Sequence, residues 1–346
     1  MRTRVCITID TEFSIAGAFA NAHSVPVAEP RVWCNVDGKS EGLGFMLDTF
    51  ARYGVQATFF VETVHRSYFK HDPMRPIAQH IHAAGHDVQL HTHPCWAVFE
   101  HDDWRERALK LPKLDHFNGR SVDDSMHLLE QGLATFEQWK LPRPKVFRSG
   151  NLQHDDNLYQ ALARVGIPYS SNVAVAVYSS GEPSYNLYSG AHQRHGVTEF
   201  PVLTFCDWKV GSKRHLKSLT IAGSSFAETR RMLEQARAAG IEEVVILTHP
   251  FEFVHNQDLA NKRVRRHLLT QSRLRKLCAF LHDNMDRFDA CGLTQAAEAS
   301  SGAVSGNILL NGVLRQALPR MAAQVTHNKM GVWLLQRQYG KQSKYT

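Results

Sequence analysis

Short apolar runs that end in polar or titratable side chains alternate along this chain with stretches of helical period. Val5-Cys6-Ile7-Thr8-Ile9 is short, β-branched and stopped by Asp10-Thr11-Glu12, the pattern of a buried strand. Leu43, Met46, Leu47 and Phe50 fall at i, i+3, i+4 and i+7, an amphipathic helical stripe that Gly54 closes. A strand over 55–61 follows at once. A helix over 74–84 closes at Gly85 and leads into a strand over 88–93. Met126, Leu129, Leu133 and Phe136 mark a third helix before the strand Lys145-Val146-Phe147. Leu158, Leu162 and Val165 mark a fourth, closing at Gly166 before 167–171. A helix over 226–239 closes at Gly240 before a strand over 243–247. The last, over 262–284, puts Leu274, Leu277, Phe280 and Leu281 on one face.

Helix, glycine and strand, repeated in that order, predict βα units on a largely parallel sheet, an α/β protein. Six or seven strands suit a barrel or an open doubly wound sheet, and spacing alone leaves both open. Between the units, 13–40 reads as a long loop over the site, and 95–124 as a charged excursion at the rim of a substrate groove. Residues 172–196 read as an ordinary loop, although Tyr178, Tyr185, Tyr188 and His192 are suited to sugar stacking. After Ser300-Ser301-Gly302 the texture changes. We expect a barrel-like domain over 1–298 and a basic extension over 299–346, with one or two short helices over 308–321 and 330–335.

The candidate chemistry lies where strands end. His91 and His93 are two apart on an extended chain, so both imidazoles point to one face and make half of a zinc site. Pro94 ends that strand. Asp10 and Glu12 share a face in the same way. Two histidines and one carboxylate complete a three-ligand hydrolytic site with an open position for water, leaving one carboxylate as base. His249, at Leu247-Thr248-His249-Pro250, can be the acid. Arg148, just past another strand, can pair with and orient the base.

Composition narrows this picture. Net charge is +7, yet no Asp or Glu follows Glu298, while Arg315, Arg320, Lys329, Arg337, Lys341 and Lys344 do. That basic tail could meet an anionic membrane face. It carries no recognised nucleic-acid motif, so no nucleic-acid partner is expected. The six cysteines form no Cys-x-x-Cys pair and read as free thiols, with Cys95 a conceivable ligand beside His93. The N-terminus runs directly into a charged strand end without an apolar leader, and a cytoplasmic location is expected.

Five motifs in order resemble those of the polysaccharide deacetylases, the NodB-homology domain of carbohydrate esterase family 4. They are Thr8-Ile9-Asp10-Thr11-Glu12, Ala57-Thr58-Phe59-Phe60-Val61, Gly85-His86-Asp87-Val88-Gln89-Leu90-His91-Thr92-His93-Pro94, Phe147-Arg148-Ser149-Gly150-Asn151 and Leu247-Thr248-His249-Pro250. The resemblance spans roughly 3–290. It implies a distorted (β/α) barrel of about seven parallel strands and a divalent metal, usually zinc. The activity implied is hydrolysis of an acetyl group, by water activated at the metal, on a glycan or N-acetyl-sugar substrate. Asp10 matches the catalytic base, Arg148 its tether and His249 the acid, while Glu12, His91 and His93 match the metal ligands. Leu247 matches the apolar wall near the acetyl methyl, and Asp207-Trp208 a tuning acid and pocket aromatic. Trp96 and Asn151 join the expected substrate contacts. Two features depart from the usual pattern: Asp-Thr-Glu replaces adjacent aspartates, and the histidines are two rather than four apart. Both fit a branch associated with polysaccharide biosynthesis and related amide hydrolases. They leave open whether Asp10 and Glu12 exchange roles, and whether water or His65 replaces His93 at the metal. A small-amide hydrolase and an inactive glycan-binding member remain the alternative readings.

Overall fold

The computed structural model describes residues 2–21, 23–110, 115–300, 306–313 and 320. Its centre is a curled sheet of nine strands. The parallel run is Glu243–Thr248, Thr3–Thr11, Thr58–Glu62, Asp87–Thr92, Val146–Ser149, Tyr169–Ser170 and Val197–Glu199, in that spatial order. His192–Arg194 adds antiparallel at one end, and Phe288–Ala290 pairs with the start of Thr3–Thr11. The chain after Val197–Glu199 then bends back to the far edge. Val202 bridges Val245, Thr220 bridges Leu247, and Leu203 N–H donates to Val245 O at 3.0 Å. Irregular backbone, not a regular strand, thus draws the sheet into the distorted barrel that the motifs imply.

Strand parity divides the core into two layers. Val5, Ile7, Ile9, Phe59, Val61, Leu90, Phe147 and Ile246 face outward into one apolar cluster with the helices Leu43–Tyr53, Met74–Ala83, Val122–Gln138 and Leu268–Asp283. Each such side chain contributes about 1.5–3 kcal/mol when fully buried. The alternate positions Cys6, Phe60, Val146, Val245 and Leu247 point inward, into a smaller cluster that Leu293 and Ala296 join. Further along the same inward rows, at the strand C-termini, come Asp10, Glu62, His91 and Arg148. Apolar filling therefore closes one end of the barrel and polar side chains occupy the other.

Several boundaries differ from expectation. Residues 13–40 hold a helix, Glu29–Trp33, and a small hairpin, Asn35–Val36 with Lys39–Ser40. The last large helix starts at Leu268, because 254–266 is a hairpin of Val254–Asn256 and Val264–Arg266. The excursion after His93 is a 3-10 segment, Pro94–Glu100, and a helix, Trp104–Lys110. The helix Val122–Gln138 then begins within the stretch read as irregular, capped by Ser121, whose hydroxyl accepts from Asp124 N–H. The hairpin Thr204–Val210 with Lys213–Ser218 has no counterpart in the periodicity, since exposed lysine, arginine and histidine interrupt its alternation. Tyr185 and His192 are buried packing residues, as an ordinary loop requires. Where helix was expected after 308, Leu310–Asn311 pairs as a short strand with Phe205–Cys206. The stretch 330–335 lies outside the described residues. No described helix is long and apolar enough to cross a membrane.

Candidate metal and catalytic site

Parallel register sets the site. Glu62 pairs with His91, and His91 with Arg148, so three polar side chains lie in one row across neighbouring strands. Ile9 pairs with Thr248, which brings Asp10 beside the position of His249 on the next strand. Pro94 and Pro250 both open 3-10 turns, so the chain leaves the sheet directly after each histidine.

Glu12 faces both histidines: its Oε2 lies 2.6 Å from His93 Nε2 and 3.4 Å from His91 Nε2. His91 Nδ1 faces the Arg148 carbonyl at 2.8 Å. A carbonyl only accepts, so Nδ1 carries a proton and Nε2 is the nitrogen turned toward Glu12. His93 Nδ1 is held in the same way by Asp115 Oδ2 at 2.8 Å, and Asn151 Nδ2 donates to that oxygen at 2.6 Å. Glu62, wholly buried, accepts from the backbone N–H of His93 and of Val64. Gly150 gives the ring its space, since a Cβ there would come 2.5 Å from His93 Nδ1. Burial alone would raise the Glu12 carboxyl. Attraction to His93 and hydrogen bonds from both histidines outweigh it and hold Glu12 well below the usual carboxylate range. Burial also opposes charge on His93, but Asp115 and Glu12 overcome it and keep that imidazole well above its ordinary value. The pocket therefore favours a cation between Glu12 and the two imidazoles. One carboxylate and two imidazole nitrogens, their ligand atoms within 4.8 Å of one another, suit zinc or a similar divalent ion.

Beside this trio, Asp10 Oδ1 accepts from Arg148 Nη1 at 2.8 Å. Arg148 is fully buried, stacks over Phe60 at 4.3 Å, and spends its other donors on Thr8 Oγ1, Ser171 O and Ser171 Oγ. Its fork is thus fixed, and Asp10 with it. The other Asp10 oxygen faces His249 Nε2 at 3.8 Å. His249 Nδ1 lies 3.2 Å from Glu252 Oε1, while Glu252 Oε2 accepts from Thr248 Oγ1 and the His249 backbone N–H. Burial lowers the His249 imidazole. Glu252, then Asp10 and Glu12, more than compensate and push it up to about 9.

Not every expected residue reaches this mouth. Leu247 lies just below it in the inner apolar cluster, and Asn151 reaches it through Asp115. Trp96 does not present a face to substrate. It is 1% exposed and packs against Phe69 and Phe99, because the 3-10 turn after Pro94 rotates it into the core. Asp207 and Trp208 belong elsewhere too. Asp207 is held by Arg320 Nη2 at 2.7 Å and His215 at 3.3 Å, and Trp208 stacks on His215. The acid facing His249 is Glu252 instead. His65 bonds the Glu62 carbonyl and faces Asp72, so it is directed away from the metal trio. Cys95 lies on the Asp115 side of His93, and burial keeps its thiol well above the ordinary range. Glu252 was legible in the sequence as the i+3 acid of a helix-capping pattern after His249. Asp115 carries no local signal.

Residues 27–170 match the polysaccharide deacetylase family model, a span that includes His91, His93 and Arg148. No curated protein matches the chain. Among solved structures, one from Mycobacterium smegmatis, assigned as a polysaccharide deacetylase, aligns at 18% identity. It covers 90% of this chain and 95% of its own, with a TM-score of 0.50. The 4-alpha-glucanotransferase of Thermococcus litoralis aligns at 10% identity over 87% of this chain and 41% of its own, also at 0.50. The family 4 carbohydrate esterase of Streptomyces lividans aligns at 12% identity over 89% and 98%, at 0.41. The family match supports a deacetylase of glycans. The resemblance carried by the motifs is thus met by a polysaccharide deacetylase family match over residues 27–170 and by a barrel-like fold similar to that of the Mycobacterium smegmatis structure.

Proposed function

We propose that this chain is a metal-dependent hydrolase that removes the acetyl group of an N-acetylated sugar or glycan during synthesis of cell-surface polysaccharide. The observation that carries the reading is one mouth holding the Glu12–His91–His93 trio, Asp10 tethered by Arg148, and His249 backed by Glu252. Glu12, His91 and His93 would hold the ion. A bound divalent ion supplies Lewis acidity to the acetyl carbonyl and to the attacking water. Asp10, with one oxygen on Arg148, accepts the proton from that water. His249 keeps a proton at Nε2 and donates it to the leaving nitrogen. Leu247 forms the apolar wall for the acetyl methyl. The exchanged assignment, with Asp10 as ligand, fits less well, because Glu12 and not Asp10 meets both imidazoles.

The test is metal content and acetate release by purified protein. About one divalent ion per chain, lost in His93→Ala, and acetate release from N-acetylhexosamine substrates only with metal, is the expected result. Asp10→Asn retains the ion and loses roughly 10²–10⁴-fold in turnover. A wild type that takes up no zinc, or that releases no acetate across a broad glycan panel, overturns the reading. Release from small non-sugar amides alone replaces it with the amidohydrolase alternative.

A further inference from the structure

The helix Glu29–Trp33 packs on the 3-10 turn that follows His249 and lays Arg31 at the rim of the site. The Arg31 guanidinium carbon lies 3.6 Å from the ring centroid of Phe251, and that ring sits 4.8 Å from His249. Nη2 is 3.8 Å from Glu12 Oε1, an ion pair beyond hydrogen-bond distance. Nε is buried and has no hydrogen-bond partner. The side chain is 21% exposed, so the fork is reachable from solvent. Its backbone is held firmly. Ser40 Oγ donates to Trp33 O at 2.6 Å, and Gly42 fits so closely that a Cβ would come 2.5 Å from Val32 O. Arg31 is thus a pre-placed cation with unmet donors, aligned by an aromatic platform beside the proposed acid.

We propose that Arg31 on Phe251 is an anion subsite, and that the substrate carries carboxylate or phosphate oxygens close to its acetamido group. The proposal rests on the reading above. When Glu12 spends its charge on a divalent ion, Arg31 loses its nearest carboxylate and keeps only the weaker pull of Glu252, and a planar two-oxygen anion matches the fork. A neutral N-acetylhexosamine offers the Arg31 fork no anion in place of Glu12.

The experiment compares three small substrates: N-acetylglucosamine, its 1-phosphate, and N-acetylmuramic acid. In the wild type kcat/KM is expected to favour one or both acidic substrates over the neutral one. Arg31→Ala is expected to reduce the acidic-to-neutral ratio about tenfold or more, mainly through KM, and Arg31→Lys to restore part of it. Whichever acidic substrate carries the effect identifies phosphate or carboxylate as the anion. Calorimetric binding of glucosamine 1-phosphate and of muramic acid to the metal-loaded protein, against glucosamine, gives a readout without turnover, and Arg31→Ala is expected to abolish the difference. Circular dichroism checks that both variants fold. Equal losses on all three substrates in Arg31→Ala, or a wild type indifferent to charge in rate and binding, overturns the subsite while leaving the deacetylase reading standing. No metal-dependent acetate release from any of the three, with no release from longer glycans, removes that reading and the subsite with it.

Discussion

Replacing Glu252 by Gln removes a charge and little else. The side chain keeps its shape, and its amide oxygen can still accept from Thr248 Oγ1 and the His249 backbone. What disappears is the largest of the influences that raise the His249 imidazole, acting from 3.2 Å against a burial that lowers it. At an effective dielectric constant of about 20, a unit charge at that distance is worth about 5 kcal/mol. Solvent reaches about a fifth of both side chains, so we take roughly half, equivalent to about two pH units. The proposed acid works only while protonated, and in the wild type it stays protonated up to about 9. In Glu252→Gln the alkaline limb of kcat/KM should therefore move down to about pH 7. At pH 8 the protonated fraction falls from about 0.9 to about 0.1, a loss of roughly tenfold, whereas at pH 6 the rate should hold within about twofold. The assay is acetate release by metal-loaded enzyme from pH 5 to 10. An alkaline limb that stays in place, or a loss of equal size at every pH, refutes the assignment of Glu252 as the group that sustains His249.

Other consequences follow from single contacts. Gly150→Ala places a methyl 2.5 Å from His93 Nδ1, so the ring must turn; metal titration should show about tenfold or greater weakening, and unchanged affinity would remove His93 from the ligand set. Asp115→Asn takes away the carboxylate that fixes the His93 ring and should weaken metal about 10–100-fold, with Asp115→Glu recovering part of it. His86 is buried against Phe50 and Phe59, and burial lowers its pKa to about 4. The unfolded chain takes up that proton near 6.5 and the folded one does not, so stability present above 6.5 is lost as pH falls toward 4. About 2 kcal/mol should be gone at pH 5. Urea unfolding at pH 7 and pH 5 measures it, and a His86→Phe protein with the same difference between the two pH values would count against this source.

Hydrophobic periodicity was enough to read the parallel α/β class and to place the candidate chemistry at strand ends. The reason is period two: Asp10 with Glu12, and His91 with His93, must share a face once their segments are extended, and the prolines after both histidines must end the pairing. It also marked Arg148 and His249 as candidates for that chemistry, since each closes an apolar run, and the fold brings both beside Asp10. Which carboxylate meets which nitrogen depended on the folded arrangement. Glu12 faces both imidazoles and Asp10 the arginine because the neighbouring strands set their heights, and strand register is a relation between segments that no single segment encodes. Trp96 illustrates the same limit, for an aromatic beside a motif is equally suited to a pocket or a core until the turn after Pro94 fixes its direction. Asp115 and Arg31 reach the site from stretches without periodicity. Their roles arise from loops folded across the barrel mouth, where the position of a side chain depends on what it packs against and not on its neighbours in sequence.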